Sequence, residues 1–123
     1  MIEEKKDGDC FKAAADRFMD APGQHEVKVE VNLMVPKGEL LLFHGVVTRH
    51  TDGREHVHAW LQWNKGELVF DFSNGNQVIA PIALYYKAGD IDYKRCRSYT
   101  FAEARRHMLD TGHYGPWAEE LEL

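Results

Sequence analysis

Three side chains in this sequence have types that could build a nucleophilic site: Cys10, His58 and Asp71, in that order along the chain. A cysteine at the start of a helix has a physical reason to react, because unsatisfied amides and the helix dipole there favour the thiolate. The same amides can hold an oxyanion. His58 lies in His58-Ala59-Trp60 and Asp71 in Val69-Phe70-Asp71-Phe72-Ser73, both within runs of strand character. A thiol, an imidazole and a carboxylate together supply a nucleophile, a general base and a group that orients the base.

Whether the last two can meet depends on the hairpin that joins them. Val57–Trp63 and Leu68–Phe72 flank Asn64-Lys65-Gly66-Glu67, a tight-turn signal. If Lys65-Gly66 is a two-residue turn, Asn64 pairs with Glu67, Trp60 stands opposite Asp71, and His58 stands opposite Ser73. His58 and Asp71 are then diagonal neighbours on one face, within reach of long side chains. A four-residue loop keeps that parity, whereas an unbulged three-residue loop sends them to opposite faces and breaks the triad.

The rest of the chain supplies elements to position them. Phe11, Ala14, Ala15, Phe18 and Met19 recur at helical spacing, so a helix over Cys10–Met19 is expected, with Asp9 as its cap and Ala21-Pro22-Gly23 as its stop. Val27, Val29, Val31 and Leu33 alternate with polar residues as in a strand with one wet face, and Pro36-Lys37-Gly38 reads as a turn. Leu40–Thr48 is a more continuous apolar run and reads as a central strand. Val78–Ala80 is extended, Pro81 opens a short helix to Ala88, and Tyr93–Tyr99 is a last strand. Thr100 with Glu103 forms a capping box for a helix over Phe101–Leu109. The order predicts an α+β domain: an N-terminal helix packed on a mainly antiparallel sheet, with helices near the C-terminus.

On Asp9-Cys10-Phe11, His44-Gly45-Val46, His58-Ala59-Trp60-Leu61-Gln62 and Asp71-Phe72-Ser73, the chain resembles the transglutaminase-like and papain-like cysteine-peptidase superfamily. It is similar to small members such as the leader peptidases of lasso-peptide biosynthesis. The resemblance covers the first two thirds of the chain and implies the superfamily's core fold. It also implies thiol chemistry through a thioester acyl-enzyme at Cys10, His58 and Asp71. Gln62 departs from the pattern, because an acidic residue is common there. Trp60 and His44 become candidate substrate contacts, with Tyr114 and Trp117 from the aromatic tail. That tail reads either as a lid over the site or, in preference, as cover for a sheet face.

A length of 123 residues fits one domain, 1–123, with residues 1–8 expected to fray and 112–123 forming a tail. The net charge of −5 disfavours a nucleic-acid partner, although Arg95, Arg97, Arg105 and Arg106 cluster near Tyr93 and Tyr99. No apolar run approaches the ~20 residues of a membrane span, and no export signal opens the chain. Cytoplasmic localisation follows as an expectation, with Cys10 and Cys96 as free thiols in preference to a disulfide. His56 and His58, with His44, His50 and Asp71, invite a metal reading, but no other pair has ligand spacing. No metal and no cofactor are expected. The leading expectation is therefore a small cysteine hydrolase, a peptidase or amidase acting on a peptide or amide substrate, with a partner protein as a further source of specificity. The alternatives are a silent binding module of the same fold and a transglutaminase-type acyltransferase.

Overall fold

The computed structural model describes residues 7–19, 26–30, 33–36, 39–73 and 78–121. Helix α1 (Asp7–Met19) precedes strands β1 (Glu26–Glu30), β2 (Leu33–Pro36), β3 (Leu40–Thr48), β4 (Glu55–Trp63), β5 (Leu68–Asp71) and β6 (Val78–Pro81). Helix α2 (Ile82–Ala88), strand β7 (Cys96–Tyr99) and helix α3 (Phe101–Thr111) complete the order. The five strands of the main sheet run in the order β6-β5-β4-β3-β7, every neighbouring pair antiparallel. The α+β architecture expected from the pattern is the one observed.

The long central pair β3 and β4 sorts its side chains to two faces, because successive residues of a strand point opposite ways. On one face, Leu40, Leu42, Ala59, Leu61 and Phe70 meet Phe11, Ala14 and Phe18 of α1 and Ala104 of α3. On the other, Phe43, Val47, Trp60 and Val69 meet Ile82, Tyr85 and Tyr86 of α2. The sheet is thus a middle layer, and each face holds its own core.

Four local expectations are corrected. α1 spans Asp7–Met19, so Asp9 lies inside the helix and not at its N-cap position. The alternating stretch 27–33 is not one strand; β1 and β2 pair as a hairpin with Val27 opposite Val35 and Glu30 opposite Leu33, and alternation alone cannot tell one strand from two arms. Tyr93–Arg95 is a 3-10 turn before β7, held by the Asp92 carboxylate, which accepts from the Lys94 amide at 2.9 Å. Pro81 caps α2 from outside instead of opening it. The capping box is present as expected, with Glu103 N donating to Thr100 Oγ1 at 3.1 Å and Thr100 N donating to Glu103 Oε1 at 2.9 Å. The 21–23 stop, the Lys37-Gly38 part of the turn and the Asn74-Gly75-Asn76 turn lie outside the described residues. Among those residues no helix is long and apolar enough to cross a membrane.

Candidate thiol–imidazole–carboxylate site

The hairpin between β4 and β5 sets the site. Glu67 N donates to Asn64 O at 3.0 Å, Glu67 takes a left-handed φ of 58°, and Trp63 pairs with Leu68 across a four-residue loop. Gln62 then stands opposite Val69 and Leu61 opposite Phe70, an offset that aligns Trp60 with Asp71 just past the last paired residues. His58 and Asp71 fall on the same face, and His58 Nε2 lies 2.9 Å from Asp71 Oδ2.

Among the described residues, β5 pairs with β4 at Leu61–Trp63, and no strand flanks the part of β4 that carries His58 on that side. α1 packs on the opposite face, and its first turn brings the Cys10 thiol into hydrogen-bonding contact with His58 around that open flank. With Nε2 on the carboxylate, Nδ1 is the nitrogen left for the sulfur. Cys10, His58 and Asp71 are therefore brought together with the ring in contact with both the thiol and the carboxylate.

Each member has supports. Asp71 accepts three hydrogen bonds, from His58 and from the Tyr85 hydroxyl at 2.6 Å on Oδ2, and from the Ser73 amide at 2.9 Å on Oδ1. Burial alone would push its carboxyl up, but the imidazole first and then these donors hold it well below the usual carboxylate range. Burial likewise works against a charged His58, and the Asp71 hydrogen bond, then the thiol, overcome it and raise the ring from 6.5 to about 10. Tyr85 is pushed far above its ordinary value by burial and by the Asp71 charge, so its hydroxyl is a permanent donor.

Trp60 is 0% exposed, which closes it to a substrate; its ring instead stacks beside His58, 6.1 Å between centroids and 29° between planes. Gln62 locks that indole, accepting on Oε1 from Trp60 Nε1 at 2.9 Å and from the Tyr86 hydroxyl at 2.8 Å while donating to Asn64 Oδ1 at 2.6 Å. A neutral side chain at 62 thus still performs a supporting task, because both its oxygen and its nitrogen are used.

His44 is also 0% exposed and points to the α1 face, not to the site. Its ring sits among Phe11, Tyr99 and Trp117, with centroids 4.9, 5.1 and 4.8 Å away, and neither nitrogen has a hydrogen-bond partner among the described residues. It therefore cannot touch a substrate as expected. Trp117 stacks flat on His107 and edges Tyr99, so this part of the tail covers the α1–α3 face. Tyr114 is partly exposed, with the Lys12 ammonium 5.7 Å above its ring.

Tyr85 and Tyr86 neighbour the site; the sequence points to the Tyr85–Gly89 segment as a source of specificity but not to these two residues as supports of Asp71 and Gln62. The signal was present in Ile82, Tyr85 and Tyr86, a helical stripe facing the sheet on an otherwise exposed helix. Asn74 and Asn76, considered as substitutes for Asp71, lie outside the described residues.

The helix start bears on the oxyanion. Cys10 is the fourth residue of α1 and so lies in the helix's first turn, where backbone amides lack intrahelical partners. Neither Cys10 nor Cys96 is in a disulfide, and burial pushes Cys96 up to about 11. The arginines of the expected basic cluster are partly engaged, Arg95 with Glu55 at 2.9 Å, Arg97 with Glu120 and Arg106 with Asp110 at 3.7 Å. Among the described residues no three His, Cys, Asp or Glu side chains converge as a metal site. Comparison with protein-family models, with curated proteins and with solved structures finds no match for this chain.

Proposed function

We propose that the chain is a small cysteine hydrolase of the transglutaminase-like and papain-like type, cleaving an amide or peptide bond in the cytoplasm. The observation that carries this reading is one imidazole held between a carboxylate at 2.9 Å and a thiol. The Cys10 sulfur attacks the substrate carbonyl, and the thiol proton resides on His58. His58 passes that proton to the leaving nitrogen as the C–N bond breaks, which leaves a thioester on Cys10. Water then attacks the thioester, His58 takes its proton, and the C–S bond breaks to return the thiol. Asp71 fixes the ring and compensates its charge throughout.

A reducing compartment suits this chemistry, since neither cysteine is in a disulfide. Cys10 is only 6% exposed, and this favours a second reading, a silent module of the same architecture that binds a partner.

Iodoacetamide at pH 6 separates the two. Cys96, held near 11, should stay unmodified while Cys10 is alkylated, and His58→Ala should slow the Cys10 reaction at least ~10-fold. Equal rates with and without His58 would sink the hydrolase reading and leave the binding module.

A further inference from the structure

A cleft of about 240 Å³ opens on the α2 face with His58 as one wall. Val47, Ala88 and Ile91 give it aliphatic surface, and Tyr85 and His58 give it ring surface. Its two sides are tied together: Thr48 N at the end of β3 donates to Gly89 O at 2.8 Å, and the His50 ring in the next loop bonds the Ala88 carbonyl. These two bonds fix the spacing between the walls of the cleft.

We propose that this cleft receives an apolar, uncharged side chain from the amine side of the scissile bond; the inference rests on the thiol-hydrolase reading. The leaving nitrogen must come within hydrogen-bond reach of His58 to take its proton. Substrate atoms beyond that nitrogen then run along the ring, away from the sulfur. The cleft begins at that ring, and Cys10 is not part of its lining.

Charge selects the side chain. Among the described residues the lining holds no aspartate or glutamate to pair a cation and no lysine or arginine to pair an anion, and the ring of His58 is already paired with Asp71 at 2.9 Å, so a buried charge of either sign gains little there. A cationic side chain would also face the protonated ring of His58. Volume sets the size, because pockets for whole drug-sized ligands run from ~300 Å³ upward. At about 240 Å³ the cleft suits one side chain such as that of leucine or phenylalanine.

Amine partitioning of the acyl-enzyme tests this directly. N-acetylglycine methyl thioester is offered to the protein, with glycinamide, leucinamide, phenylalaninamide or argininamide as acceptor. In the productive step the amine nitrogen bonds to the carbonyl carbon, the C–S bond to Cys10 breaks, and the amine's proton passes through His58 to the sulfur. Chromatography of the products gives the ratio of aminolysis to hydrolysis for each acceptor. Leucinamide and phenylalaninamide should exceed glycinamide and argininamide by ~10-fold or more, and Ile91→Glu should turn the preference toward argininamide.

Equal partitioning by all four amides, with an acetylglycyl adduct seen on Cys10 by mass spectrometry, overturns the assignment of the cleft and leaves the hydrolase reading standing. No adduct on Cys10 overturns the hydrolase reading itself, and the inference goes with it.

Discussion

The proton on His58 is held by a balance that one substitution can tip. Burial disfavours the imidazolium, and the Asp71 carboxylate, followed by the Cys10 thiol, reverses this and raises the ring to about 10. Asp71→Asn preserves the shape and an oxygen acceptor while removing the charge, so burial is opposed by hydrogen bonds alone. Its His58 titration, followed by ring-proton NMR, should fall by ~2 units or more. A midpoint within half a unit of wild type would show that the carboxylate does not control the ring. Tyr85 belongs to the same balance, yet nothing in its local sequence points to Asp71. The two are brought to 2.6 Å only because α2 folds back over Trp60, a packing event between distant segments that periodicity cannot express.

At the scale of elements, the hairpin is where sequence and structure agree most closely. Parity along two strands is arithmetic once the turn length is known, and both two- and four-residue turns put His58 and Asp71 on one face. The approach of α1 was less legible, because it depends on β5 ending before it reaches His58. Parity alone would have placed the helix and the imidazole on opposite sides of the sheet. His44 was misread for a related reason: its neighbours in sequence are strand residues, but its surroundings come from α1, β7 and the tail.

The same two strands carry a packing constraint at Gly45, which pairs with His58 on β4 and Cys96 on β7. A Cβ at Gly45 would stand 2.7 Å from both Cys96 Sγ and the Trp60 ring, and Trp60 is the surface beside which His58 stacks. Gly45→Ala should therefore destabilise the fold by ~1–3 kcal/mol, read as a lower urea midpoint with an unchanged slope. It should also slow Cys10 alkylation at pH 6, because a displaced indole moves the imidazole. A variant with wild-type stability would mean that the Trp60 layer yields more easily than its full burial suggests.

Across the whole molecule, two histidines on adjacent central strands are shifted in opposite directions and together shape stability against pH. His44 on β3 is kept neutral by burial, with the nearby His107 adding to the effect, and its value falls from 6.5 to about 3. The unfolded chain binds that proton more readily, so this contribution is complete above pH 6.5 and is lost as pH falls toward about 3. His58 on β4 is raised to about 10, so its contribution is complete below pH 6.5 and is lost as pH rises toward about 10. Each limb has a slope of at most about 1.4 kcal/mol per pH unit. Asp71 adds acid sensitivity as pH falls through its ordinary value of 3.8, below the pH 4.5 at which the acid limb is read. Urea midpoints at pH 4.5, 6.5 and 9 should therefore peak at the middle value. His44→Leu should flatten the acid limb and raise the midpoint at pH 4.5, since it replaces an imidazole whose nitrogens have no hydrogen-bond partner among the described residues by an apolar side chain. His58→Gln should lower stability overall yet flatten the alkaline limb. A wild-type midpoint equal at pH 4.5 and 6.5 would mean that His44 takes up its proton inside the fold, and that the cage of Phe11, Tyr99 and Trp117 opens to water.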